Sequence, residues 1–430
     1  MANSSTRSHP KYTSPDIDKV PSCVDTYGVN VIAHDPLGAL SKDAFGRDRV
    51  SNTGDRLDCE FIYDKQPDLF DEVTTNGTVT HNANSRDLTL SLTAATDGSE
   101  ACMTSHPVPY TPGSGQLIDL SGTLDLAEIG TGSAEVFLRS TVTGVTTEET
   151  IPQSDWIEMN TGVDWTDSHL FQLDFQSLKV GTIRYNKVVN GLPITVAQIN
   201  NDNKRDGGYW QLPSLPVFWR LYIDGTETKA EIGYGDANNA IGFRYTLPTA
   251  NSSATMRAIC CTAKSEGGVR LQDLPGLPRT AHTGTTTASV TSSTVLTPIL
   301  SIRSKDTFQS LNNLSISIPK HFSIFTNQDI RVSVIMGGTL TGASWTDVDT
   351  TYSSMEYDVT ASAITGGHSI HTDFFAAATG NNNSSSSDGL LGKAVLWNRQ
   401  DGDTGILTLA AVDLGTNALV RGDIGWNEIR

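Results

Sequence analysis

The stretch VFWRLYIDG, residues 217–225, decides how this chain is read. Trp219, Leu221 and Ile223 alternate with Phe218, Arg220 and Tyr222, and a period of two sends the two sets to opposite faces of a β-strand. Pro213 and Pro216 stand just ahead of it in YWQLPSLPVFWRLYI, where fixed φ angles and missing N–H groups mark a bend entering the strand. Working outward, similar runs occur in DLTLSL (87–92), in AEVFLRSTV (134–142) and twice within HLFQLDFQSLKVGTIRY (169–185). They return in TPILSIRS, LSISIPKHFSIFT, IRVSVIMGG, SMEYDVTA and GILTLAAVDL. No segment places apolar residues at helical spacing with caps at both ends. Thr favours strands, and Asn, Gly and Ser favour the tight turns between them. The expected fold is all-β: two jelly-roll or sandwich-like domains behind an extended N-terminal arm.

The expected boundaries follow from changes in this pattern. Residues 1–42 lack apolar periodicity and carry Pro10, Pro15, Pro21 and Pro36, which reads as an extended anchoring arm or a disordered tail. Within them, YGVNVIAHD (27–35) has the look of one short docked strand. Residues 43–272 form the first β domain, and 273–430 the second, opened by the Pro- and Gly-rich connector DLPGLPRTAHTGTTTAS. AAATGNNNSSSSDG (376–389) reads as an exposed low-complexity loop. No internal repeat supports a solenoid or propeller.

Charge narrows the classes of partner. The chain has 48 acidic against 30 basic residues, a formal net charge of −18, and no Lys/Arg cluster, so it repels phosphate backbones. No apolar run approaches the roughly 20 residues of a membrane-crossing helix. The opening MANSSTRSHPKYTSPD has no apolar core, so no secretory signal is expected. Five cysteines (Cys23, Cys59, Cys102, Cys260 and Cys261) show neither CxxC spacing nor an even count. They read as reduced, buried small hydrophobes, which fits a compartment where thiols stay reduced.

Candidate chemistry is sparse, and the expectation is no enzyme, no cofactor and no metal. No G-x-S-x-G elbow is present. Asp167, Ser168 and His169 adjoin in DSHL, where neighbours on a strand diverge and cannot form a triad. His368 and His371 in HSIH follow Gly366 and Gly367 and read as surface loop histidines. DGDTG (401–405) and NNDNKRDGG (200–208) hold fragments of calcium-loop patterns without a bidentate Glu, and read as hairpin tips. RGD (421–423) reads as a turn flanking a strand.

DAFGRDRVSN, residues 43–52, resembles the signature that opens a family of virion structural proteins in large tailed bacteriophages, cyanophages and other marine phages among them. Further blocks follow in the family's order. FIYDKQPDLFDE (61–72) looks like its aromatic-acidic strand, and FQLDFQSLKVGTIRY (171–185), ITVAQINNDN (194–203) and YWQLPSLPVFWRL (209–221) resemble later segments. RAICCTAKSEGG (257–268), ILSIRSKDTF (299–308) and DIGWNEIR (423–430) complete the series. Asp48 departs from a usual hydrophobic residue, and the linkers diverge, which leaves placement on the particle open.

The resemblance implies a non-enzymatic structural component of the virion, on the tail or as a capsid decoration, with no catalytic residues. Its partners would be other virion proteins and further copies of itself, a trimer by analogy. The motif positions it singles out are Asp43, Ala44, Phe45, Gly46, Arg47, Trp210, Pro213, Pro216, Trp219, Gly267, Gly268 and Trp426. Phe45, Trp210, Trp219 and Trp426 read as core or subunit-interface anchors, with an aromatic carbohydrate platform as the rival reading. The alternative function is accordingly a tail protein that binds host-surface glycans.

Overall fold

A computed structural model describes residues 53–429 except 112, 124–131, 143, 158–163, 178–179, 203, 205–207, 211, 267–275, 378–382, 386–390, 392–393 and 398–404, together with the backbone of 23–24 and 30–31. Among the described residues the fold is all-β and every strand pairing is antiparallel; a short 3₁₀ turn spans Gln153–Asp155. The anchoring-arm reading of 1–42, the signature at 43–47, Gly267 and Gly268, the 272/273 boundary and most of DGDTG lie outside the described residues.

Two sheets build the N-terminal half. The first has seven strands in the spatial order Val145–Pro152, Ser133–Val142, Ala240–Leu247, Glu227–Gly235, Val217–Asp224, Glu100–Ser105 and Phe70–Thr75. The second runs Leu192–Ile199, Ile183–Val189, His169–Phe175, Gln116–Thr123, Thr255–Ser265, Asp87–Leu92 and Gly77–Asn82, and Gly54–Glu60 also pairs with Thr255–Ser265. The alternation at 217–224 explains how the sheets meet. Trp219, Leu221 and Ile223 are fully buried between them, and cross-strand register sets Trp219 opposite Ile232 and Ile232 opposite Phe243. Phe61 meets Trp219 edge-on at 5.8 Å, and Phe171 meets Phe243 at 4.6 Å, so aromatic pairs close the core.

Pro213 and Pro216 do make the bend. The Tyr234 hydroxyl accepts from Leu215 N at 2.9 Å and donates to Pro213 O at 2.8 Å, pinning the turn to the adjacent strand. Trp210 packs within this corner against Phe175 and Tyr234.

The C-terminal half forms two further sheets. One joins Leu277–His282, Ala418–Ile429, Ile316–Thr326 and Asn383–Ser385, with Ala288–Val290 and Leu396–Trp397 alongside. The other runs Thr346–Asp347, Met355–Asp358, Thr297–Ser304, Ile406–Asp413, Ile330–Met336 and His368–Phe375. Ile302, Phe322, Val334, Leu409, Ile424 and Trp426 share one core here, distinct from that of the N-terminal half. Buried Glu428 accepts hydrogen bonds from Ser354 N, Ser354 Oγ, Ser353 Oγ and Trp426 Nε1, so its burial is compensated by donors that tie the 353–354 segment to the last strand.

Several turn and loop readings are corrected. RGD lies inside the strand Ala418–Ile429, where Arg421 is paired with Phe325 and Asp423 with Ser323. HSIH opens the strand His368–Phe375 rather than a loop; ladder pairing to Ile330–Met336, with a bulge between Val334 and Ile335, outweighs the preceding glycines. The connector is already a strand at Leu277–His282, and Asn383–Ser385 of the low-complexity tract pairs with Phe322–Ile324. FIYDKQPDLFDE enters a strand only at Phe70.

Trp219→Ala should cost about 3–5 kcal/mol in urea unfolding, the usual range for removing a buried aromatic ring. A cost under about 1 kcal/mol would mean that the ring does not bridge the two sheets.

Candidate functional site

A cavity of about 490 Å³ lies where the outer face of the seven-stranded sheet meets the C-terminal half. Its position follows from register. Phe218 is opposite Thr104 and Thr104 opposite Asp71, while Arg220 is opposite Cys102 and Cys102 opposite Val73, so all six share the face turned away from the core. Arg220 is also opposite Glu231 in the neighbouring strand, which brings that carboxylate onto the same face. The other wall comes from Leu314, Ser315, Ile316 and Trp397 of the C-terminal half. The Trp397 ring packs on His106 with centroids 4.1 Å apart, joining the two halves beside the cavity. A second contact across the halves pairs His368 Nδ1 with Asp68 Oδ1 at 3.3 Å.

The floor is a buried ion network. Glu231 is fully buried and receives Arg139 Nη2 at 2.6 Å, Arg244 Nε at 2.9 Å and the Tyr222 hydroxyl at 2.9 Å. Arg244 also reaches Glu135 at 2.8 Å and Glu148 at 2.6 Å, and Arg220 Nε donates to Glu100 Oε1 at 2.6 Å. Burial by itself would push the Glu231 carboxyl up; the charges of Arg139 and Arg244 and the hydrogen bond from Arg139 reverse that and hold it at about 2. Such a carboxyl stays ionised and cannot serve as a general acid. Arg139 and Arg244 are held above their ordinary values, the attraction of Glu231 and Glu148 outweighing burial. Cys102 lines the cavity, but burial and then the charge of Glu100 push its thiol up to about 12, which leaves no thiolate nucleophile.

Small residues shape this floor. Phe218, Gly233, Gly242 and Phe137 are successive cross-strand partners, and a Cβ on Gly233 would meet Ile241 O at 2.2 Å. The glycine pair lets the sheet close between two rings, which cluster with Ala240. Arg139 and Arg244 lie over the Phe137 ring at 5.1 and 4.5 Å.

The aromatic positions singled out from the sequence sit elsewhere. Trp210, Trp219 and Trp426 are all buried within the cores, so these three rings are core anchors and offer no exposed carbohydrate platform. Of the described motif positions, Pro216 alone borders the cavity. In DSHL, the strand begins only at His169, whose Nε2 lies 2.7 Å from the backbone oxygen of Asp164. Cys59, Cys102 and Cys261 are buried and Cys260 half-buried, all four as free thiols. Among the described residues no group of three or more His, Cys, Asp or Glu side chains is placed to hold a metal. No helix among them is long and apolar enough to cross a membrane. Reading the sequence missed Glu231, Arg139, Arg220 and Arg244. Their one signal was a charge at an outward position of an otherwise apolar strand, as in AIGFRYTL (240–247).

No family model matches the chain, and no curated protein does. Among solved structures, the chain is similar to an endo-1,3-β-glucanase from Streptomyces sioyaensis at TM-score 0.30 and 7% identity, over 50% of this chain and 96% of that one. It is similar to lectin I-B4 from Griffonia simplicifolia at 0.20 and 13%, over 49% and 99% of the two chains. A carbohydrate esterase from the Shiga toxin-encoding bacteriophage phi24B gives 0.22 and 9%, over 50% and 100%.

The buried carboxylate sets a pH dependence. Because the folded-state value of Glu231 is depressed from 4.5 to about 2, its contribution is present in full above its ordinary value and is lost as pH falls through about 2. The stability gap between the natural chain and Glu231→Gln should therefore narrow by about 3 kcal/mol on acidification through that window, at about 1.36 kcal/mol per unit. A gap that is constant with pH would show that the carboxylate is not held by the two guanidinium groups.

Proposed function

We propose that the chain is a non-enzymatic structural component of a tailed-phage virion, assembling with other virion proteins and with copies of itself. The observation that carries this reading is where the blocks of the family resemblance fall. FQLDF (171–175) contributes to the strand His169–Phe175, RAICCTAKS (257–265) to Thr255–Ser265, ILSIRS (299–304) to Thr297–Ser304 and DIGWNEI (423–429) to Ala418–Ile429. The Pro213–Pro216 bend and Trp210, Trp219 and Trp426 serve the same scaffold. The resembling blocks thus supply strands of the framework, which supports a structural role. The cavity favours a second reading, a tail protein that binds host-surface glycans, because its lining combines aromatic rings with charged donors and acceptors.

Gold-labelled antibodies against the purified chain, imaged on intact particles by electron microscopy, test the first reading. Label at one repeated position on the tail or capsid is the expected result. Particles that stay unlabelled, while lysate from infected cells contains the chain, would reject it.

A further inference from the structure

We propose that the strand His368–Phe375 is a docking edge for a second copy of this chain, joined to it by two-fold antiparallel pairing centred on Thr372. This rests on the reading of a chain that assembles with copies of itself, and it names the surface and the register.

The strand has one unpaired side. Ile330–Met336 pairs with His368–Phe375 along one edge, and among the described residues no strand pairs with the other. One bond gives the direction of the free amides. Phe374 N donates to Asp373 Oδ1 of the neighbouring side chain at 2.9 Å, so this N–H is turned out of the ladder. In an antiparallel strand the N–H and C=O of one residue point the same way, and successive residues alternate. Thr372 and Phe374 therefore both present donors and acceptors outward. Such a row is a template for another strand.

What guards comparable edges is missing here. Among the described edge strands, Val145–Pro152 and Leu192–Ile199 are also eight residues long. They contain Pro152 and Pro193, each without a ladder N–H, and the first adds Glu148 and Glu149. HSIHTDFF (368–375) has no proline and no lysine, and Phe374 on it is 68% exposed.

The sequence of the edge says what fits it. IHTDF (370–374) is complementary to itself when run antiparallel. With Thr372 opposite Thr372, His371 of each copy faces Asp373 of the other, and Ile370 of each faces Phe374 of the other. An imidazole N–H opposite a carboxylate and an aliphatic chain opposite a ring are both favourable cross-strand pairs, and the two-fold axis makes each of them twice. Ile370 is the residue that the bulge leaves unpaired, since His371 is opposite Val334 and Ser369 opposite Ile335. Charge and direction select this register. Centring on Asp373 would set like charges against each other, and a register between the two would set outward amides against inward ones. His368 lies outside the paired residues and keeps its contact with Asp68. A two-fold contact of this kind closes on itself, so it makes a dimer and not a fibre.

The test is sedimentation of the full chain from micromolar concentration to about 100 µM, a range suited to a small interface. A monomer–dimer equilibrium is expected. Thr372→Pro removes an outward N–H and no ladder bond, and should weaken dimerisation by at least about tenfold. Asp373→Lys, which sets an ammonium against His371, should do the same. Far-UV circular dichroism checks that both variants fold. Thr372→Cys places two thiols at the two-fold axis. Glutathione disulfide, taking up two electrons and two protons, should join them as a covalent dimer, while the natural chain stays unlinked under the same conditions. Unchanged dimerisation in both folded variants, with no link in Thr372→Cys, would overturn this edge and leave self-assembly to another surface. A chain that stays monomeric throughout, and whose Thr372→Cys variant does not link, would overturn the edge outright, with the virion reading still decided by antibody labelling of particles.

Discussion

The pairing of Glu231 with Arg139 and Arg244 is the constraint on which the outer face of the seven-stranded sheet depends. A carboxylate with no exposure loses its hydration entirely, and in an unpaired state that loss would cost several kcal/mol. Three donors from three neighbouring strands replace the lost water: Arg139 from Ser133–Val142, Arg244 from Ala240–Leu247 and Tyr222 from Val217–Asp224. The geometry works only in one register, because a slip of one residue would turn Glu231 into the aromatic core and Ile232 outward. The pairing thus locks strand order, strand register and the placement of charge together. The same strands present Trp219, Ile232 and Phe243 to the other sheet, so the ion network and the apolar core enforce one alignment.

That alignment also makes the cavity. Arg220 and Glu100 meet because Val217–Asp224 and Glu100–Ser105 are neighbours, and the pair projects from the same face as the Glu231 cluster. The C-terminal half closes the space with Trp397 and Ile316, whose own strands belong to a separate core. The residues that shape the cavity, Arg139, Arg220 and Glu231 among them, also hold the sheet. The family-like blocks supply some of the framework strands, and the cavity lies mainly on residues outside them.

Much of the framework was legible because a strand half-buried on one face writes its period into the sequence. DLTLSL, VFWRLYID and TPILSIRS coincide with the strands Asp87–Leu92, Val217–Asp224 and Thr297–Ser304. The errors have a common physical cause. In HSIH, RGD and the 383–385 tract, residues suited to turns are drawn into ladders by neighbouring strands, and local preference is outweighed by long-range pairing. The tryptophans were recognised as anchors, but whether an aromatic side chain faces a core or a partner depends on which sheet covers it. The cavity was not legible at all. Arg139, Arg220, Glu231 and Trp397 come from distant segments, and nothing in one strand's alternation says which charge on the next strand will face it.

The account stands most directly on the coupling between Glu231 and Arg244. A double-mutant cycle with Glu231→Gln, Arg244→Met and the double variant, read by urea unfolding at neutral pH, isolates that term. The buried pairing predicts a coupling of about 1–3 kcal/mol, with the double variant losing much less stability than the two single losses added together. Additive losses, with coupling under about 0.5 kcal/mol, would contradict it.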